Sequence, residues 1–147
     1  MSEDIAKPST KELADREAIE MARSLTASAL PFAGVLIGRF NKMIEGLRRG
    51  EDSDALAGLG DSAKDLEQFL TFIVLVAEIL ENTSPGTFQQ LTTFRERLLG
   101  AIEGLHPALA DLDLVEVADT LEQDVVQSLS SYQEEIHSDL TAALLAA

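Results

Sequence analysis

Positions 14, 18, 21, 25, 29, 32, 36, 40, 43 and 47 of the chain are Ala, Ala, Met, Leu, Ala, Phe, Leu, Phe, Met and Leu. Apolar side chains recurring every three or four residues mark one face of an α-helix. The spacing follows an eleven-residue rhythm of about 3.67 residues per turn, close to the natural helix, so it predicts a long and nearly straight stripe. Ser9-Thr10-Lys11-Glu12 ahead of the stripe is a capping box, which pairs amides that a helix start would otherwise leave unbonded. Gly50 closes the segment as a C-terminal cap. Pro31 sits inside the stripe without changing its phase, and its missing N–H predicts a kink or a break there.

A second helix is predicted from Asp52 or Ser53 to about Glu81, ended by Asn82-Thr83-Ser84-Pro85-Gly86. Its apolar positions 56, 59, 63, 66, 70, 73, 77 and 80 step by three and four, the heptad rhythm of close helix pairs. Phe69, Phe72, Val74, Val76 and Ile79 lie off that seam, so residues 69 to 80 are apolar almost all the way round. That half of the helix belongs in the middle, covered from several sides. The run is about twelve residues, short of the roughly twenty that a membrane span requires.

A third segment, about 86 to 106, carries Phe88, Leu91, Phe94, Leu98, Ile102 and Leu105 at helical spacing until His106-Pro107 interrupts it. The last helix is predicted from about Leu112 to Leu145, with Leu114, Ala118, Leu121, Val125, Leu129, Tyr132, Ile136, Leu140, Ala143 and Ala147 on one stripe. These elements predict an all-α chain: an antiparallel four- or five-helix bundle with long helices, the first kinked near Pro31. Residues 9 to 147 read as a single domain behind a flexible tail, residues 1 to 8.

Length adds a constraint. The last helix would reach about 50 Å and the segment before it about 30 Å. Its overhanging apolar residues Ile136 and Leu140 then need cover from the N-terminal helix or from a second molecule. Lys11, Arg16 and Arg23 are available to face Glu134, Glu135 and Asp139, although exposed ion pairs contribute at most about 1 kcal/mol each.

Charge narrows the choice of partner. The 147 residues carry a formal net charge of −15. Residues 1 to 50 hold eight Lys/Arg against seven Asp/Glu, a net of +1, while residues 51 to 147 hold three against nineteen, a net of −16. Past Arg97 there is no basic side chain. Such a surface repels phosphate backbones and anionic lipid, so neither nucleic acid nor membrane is expected as a partner. The absence of cysteine removes disulfides and thiolate metal sites and fits a reducing compartment. Met1-Ser2-Glu3-Asp4 lacks the basic start of an export signal, so a cytoplasmic location is expected.

Candidate chemistry is sparse. Glu103-Gly-Leu-His106 and Glu134-Glu-Ile-His137 repeat the Glu-x-x-His pattern that holds metals in ferritin-like di-iron bundles. If the last two helices turn near residue 110, however, Glu103 lies opposite about residue 117 and Glu134 is roughly 25 Å further along. Glu134 also falls about 160° from the stripe of its own helix and points to water. Ala57-Gly58-Leu59-Gly60 lacks the strand and the spacing of a phosphate loop and reads as small residues at a close helix contact. Asp111, Asp113, Glu116, Asp119, Glu122 and Asp124 lie along a regular helix without the glycine-turned loop of calcium sites.

Ile44-Glu45-Gly46-Leu47-Arg48-Arg49-Gly50-Glu51-Asp52, then Phe94-Arg95-Glu96-Arg97-Leu98-Leu99 and Asp113-Leu114-Val115-Glu116-Val117-Ala118, resemble the helix-turn rhythm of flagellin-export chaperones over about residues 30 to 130. The resemblance implies a small helical bundle that holds an unfolded, aggregation-prone partner before secretion, and it transfers no particular binding residues.

The expected function is therefore a non-catalytic helical protein–protein interaction module that self-associates, as a dimer, without cofactor or metal. The contact residues expected from the oversupplied apolar faces are Phe69, Phe72, Ile73, Val76, Tyr132, Ile136 and Leu140. A holding chaperone or adaptor that takes a helix of another protein is the alternative, and a di-metal protein using the two Glu-x-x-His motifs the third reading.

Overall fold

The computed structural model describes residues 9 to 147, and no strand occurs among them. The tail assigned to residues 1 to 8 lies outside the described residues. Four long helices account for almost all the rest: α1, Thr10–Arg48; α2, Asp52–Leu80; α3, Pro85–Ala110; and α4, residues 114 to 146. Within α4, α-helical segments Leu114–Thr120, Gln127–Ser131 and His137–Ala146 alternate with π-helical turns at Leu121–Val126 and Tyr132–Ile136.

Local chemistry sets the ends. At the start of α1 the Ser9 hydroxyl accepts from the Glu12 amide while the Glu12 carboxylate accepts from the Ser9 amide, the reciprocal pair of a capping box. At its other end Gly50 takes φ +81°. The Glu51 amide then donates to the Gly46 carbonyl at 2.8 Å and the Gly50 amide to Leu47 at 3.3 Å, a Schellman closure. The same closure ends α3, where Asp113 donates to Ala108 at 2.8 Å and Leu112 to Leu109 at 3.1 Å. There the left-handed position, φ 53°, is held by Leu112 instead of glycine. The Asp113 side chain then caps α4 by accepting from the Glu116 amide.

Neither interior proline breaks its helix. α1 runs through Pro31 and α3 through Pro107 as far as Ala110. This corrects the expected interruption at His106-Pro107. Each proline deprives the carbonyl four residues earlier of a partner, but Ala27 and Glu103 are both exposed residues, at positions open to solvent.

Each helix packs on its neighbours in the chain, and α1 closes the ring against α4. Gly46 lies against Ala55, Met43 against Gly58 and Phe32 against Phe69, so α1 and α2 pair in opposite directions. Arg48 reaches Asp119 and Glu122, Gly34 lies against Gln133, and Arg23 donates to the Leu144 carbonyl, so early α1 meets late α4. The centre is aromatic. The Phe69 ring sits 5.0 Å from Tyr132 and 5.9 Å from Phe94, which is 6.0 Å from Tyr132.

Of the two covers expected for Ile136 and Leu140, the N-terminal helix is the one found: both are buried within the same chain, where α1 and α3 pack on the end of α4. One expectation about α4 changes. Arg23, instead of pairing with an acidic side chain, spans two nitrogens to the Leu144 carbonyl at 3.0 and 2.8 Å. A guanidinium there complements the unpaired carbonyls and negative dipole end of α4.

The apolar stripes of α1 and α4 share one rhythm but meet different fates. In α4 Ala118, Leu121, Val125, Leu129, Tyr132, Ile136, Leu140 and Ala143 are all buried. The double four-residue steps 121–125–129 and 132–136–140 coincide with the two π turns, which wind more slowly than an α-helix and hold the stripe on one face. α1 stays α-helical and keeps Ala29, Leu36, Phe40, Met43 and Leu47 of the expected stripe inside, but buries Ala22, Thr26 and Ala33 where Met21, Leu25 and Phe32 were expected. The buried line is a regular heptad seam, small along its first half, where it meets the large side chains of α4.

Candidate interaction surface

Burying the small line leaves the large one outside. Met21, Leu25 and Val35 are 52%, 39% and 50% exposed, Phe32 is half-buried, and Ala14 is exposed. These residues continue one another at helical spacing along α1. No charged residue occurs from Ser24 to Gly38. An 18-residue window of α1 reaches a mean hydropathy of 1.3, enough by length and composition to cross a membrane, and only 28% of it is buried. Its buried residues are the seam that α4 and α2 cover, so spanning a bilayer would require α1 to leave the core.

Beside this line a groove of about 240 Å³ opens between α1 and α2, with Leu25, Ser28 and Phe32 on one wall and Gln68, Phe69 and Phe72 on the other. Phe72 continues along α2 at steps of three and four into Leu75 and Ile79, both half-buried. The result is a two-helix apolar flank. Packing gives it a firm floor: Phe69 stacks on Phe32 at 6.2 Å and meets Phe72 edge-on at 5.8 Å.

The first turns of α1 extend the flank beyond the other described residues. Carrying the α1–α2 register onward brings Leu80, the end of α2, beside about Met21, and the α1–α4 register brings Ala146 to the same level. Residues 10 to 17 are correspondingly exposed and Ala18 and Ile19 half-buried. About three helical turns therefore project as an arm. A helix that short is marginal in water without packing, despite its capping box.

Of the seven contact residues expected from sequence, six are interior: Phe69, Ile73, Val76, Tyr132, Ile136 and Leu140 are each less than a tenth exposed and pack within the one chain. Phe72 reaches the flank as a half-buried wall of the groove, which the edge of the buried Phe69 also lines. Periodicity had placed Met21, Leu25 and Phe32 on the core stripe, and the exposed role of these residues and of Val35 was missed. The available signal was a second apolar line beside the first, with alanines on the buried one.

Two other places carry polar chemistry. Tyr132 is fully buried, and its hydroxyl pairs with Nδ1 of His137 at 3.3 Å across the second π turn. Burial pushes the phenol well above its ordinary value and pulls the imidazole below its own, so both are held neutral. Neither faces a second titratable partner in a cavity. Near the α1–α2 turn a cleft of about 770 Å³ sets Arg39, Lys42 and Arg49 opposite Asp54, Asp61 and Asp65, with Arg39 and Asp65 in direct contact. Of the glycines expected at a close helix contact, Gly58 lies against the end of Met43 and Gly60 has open space around it, while a tighter approach of α1 and α2 is made by Gly46 against Ala55.

Glu103, His106 and Glu134 are exposed and His137 is turned to Tyr132, so the two Glu-x-x-His motifs do not converge. Among the described residues no three His, Cys, Asp or Glu side chains cluster as a metal site. Compared with models of known protein families, with curated proteins and with solved structures, the chain matches none.

Proposed function

We propose that this protein is a non-catalytic interaction module, an antiparallel four-helix bundle bent at Pro31 that self-associates through the apolar flank of α1 and α2. The observation that carries the reading is the exposure of Met21, Leu25 and Val35 on a helix whose interior seam is already satisfied. Large apolar side chains in one line, rimmed by a polar surface, mark a contact site more often than a chance exposure. Their burial is worth about 25 cal/mol per Å² removed from water, which favours association.

Sedimentation equilibrium tests it. The wild-type chain is expected to gain mass between about 1 and 200 µM, and Leu25→Glu to remain monomeric while keeping its helical circular dichroism. A wild-type monomer throughout would refute self-association. The α1–α2 groove also favours a second reading, in which an amphipathic helix of another protein lies against Leu25, Phe32 and Phe72 as in a holding chaperone. Competition by such a peptide with the wild-type self-association would support that reading.

A further inference from the structure

We propose that the occupant of the flank is a second copy of this chain, docked so that the bare arm of each α1 lies in the α1–α2 groove of the other. The inference rests on self-association and adds its geometry.

The first argument is the line itself. Ala14, Ala18, Met21, Leu25, Ser28, Phe32 and Val35 step by four and three in alternation. Laid against its own reverse, the line falls into step when Met21 faces Leu25, Ala18 faces Ser28 and Ala14 faces Phe32. The ring of Phe32 meets the smallest side chain of the line, the thioether of Met21 meets a leucine, and the two small residues Ala18 and Ser28 allow close approach between them. An antiparallel pair in this register is isologous, with its two-fold axis beside residue 23.

The second argument is space. α2 ends at Leu80, beside about Met21, so an axis near residue 23 brings only the last turns of the two α2 helices together. Moving the axis toward Phe32 would drive α2 of one copy into α2 of the other. The register that matches side-chain sizes is thus also one the surrounding helices allow, and it covers arm and groove in one contact.

Area agrees, whereas charge does not drive the contact: residues 10 to 21 hold Lys11 and Arg16 against Glu12, Asp15, Glu17 and Glu20, a net of −2, so apolar burial carries it. The overlapping helices form a strip about 36 Å long. With the α2 flanks it buries on the order of 1,000 Å² over both copies, at the lower end of specific interfaces and consistent with a micromolar dimer.

Cysteine mapping tests the docking, because the chain has no cysteine of its own. Ala18→Cys and Ser28→Cys, mixed under mild oxidation at about 100 µM, are expected to give a disulfide-linked dimer containing one of each. Either variant alone is expected to cross-link at least tenfold more slowly. In this register position 18 of one copy lies about 15 Å along the axis from position 18 of the other, and likewise for position 28, too far for either variant to bridge with itself. Faster cross-linking of each variant with itself would overturn the antiparallel register. A dimer by sedimentation whose mixed variants do not cross-link would refute the docking while leaving self-association intact. A monomer by sedimentation would refute both.

Discussion

Leu140→Ala separates the interior of this chain from its contact surface. Leu140 is fully buried between α4 and its neighbours, whereas Leu25, on the flank, is 39% exposed. Truncating leucine to alanine removes about three methyl or methylene equivalents, worth about 0.8 kcal/mol each in transfer, and the cavity left behind adds to that. For Leu140 the expected loss is about 3 kcal/mol, within the usual span of roughly 2–5 kcal/mol, equivalent to a fall in Tm of about 6–12 °C for a domain of this size. Leu25→Ala forfeits only the buried part of its transfer term, about 1–1.5 kcal/mol.

Urea denaturation followed by circular dichroism at about 1 and 100 µM distinguishes the two. Leu140→Ala should lower the midpoint by the same amount at both concentrations and leave the dimer constant unchanged. Leu25→Ala should lower the midpoint modestly at both concentrations and abolish the concentration dependence of the wild type, because the part of its side chain left exposed in the monomer is covered only on association. If Leu140→Ala weakened association and left the dilute chain as stable as wild type, the assignment of α4 to the interior would be wrong.

Four further outcomes follow from local geometry. Leu112→Asn should raise stability by about 0.5–1 kcal/mol in thermal melts, because asparagine tolerates the left-handed backbone that costs leucine about 1–2 kcal/mol, and the 72% exposed leucine has little packing to lose. Gly38→Ala should stabilise by about 0.8–1 kcal/mol, since nothing lies within 4 Å of the added methyl and alanine is the better helix former. The folded chain holds His137 below its ordinary value of 6.5, so its unfolded form takes up a proton first. Stability should be full above that pH and fall as pH drops through the folded value, and His137→Gln should flatten the decline in urea titrations between pH 7.5 and 5. Salt should tighten self-association by screening two chains of −15 each, seen as a lower dimer constant at 500 than at 50 mM NaCl.

The stripe of α4 was readable from spacing alone, as were the capping box at Ser9, the cap at Gly50 and the central place of Phe69. What spacing could not rank was α1, where two apolar lines run side by side. The larger side chains at 21, 25 and 32 drew the prediction, yet beside Ala29 the interior took the alanines at 22 and 33, where α4 presents Tyr132, Ile136 and Leu140 to α1. Volume complementarity between elements distant in sequence decided the matter, and no periodicity records it. Pro107 misled for a similar reason: its cost depends on whether the freed carbonyl reaches water. The π turns left only the paired four-residue steps as a trace, and α1 shows the same steps without them.

Hydrogen exchange along α1 as a function of concentration tests the central claim most directly. In a monomer the amides from Leu13 to Met21 belong to an uncovered arm and should exchange within seconds, while those from Ala29 to Phe40, set in the core, stay protected. Above the dimer constant the arm amides should slow by at least tenfold, together with the groove amides around Phe72. Arm exchange that remains fast and unchanged from about 1 to 500 µM would contradict the account.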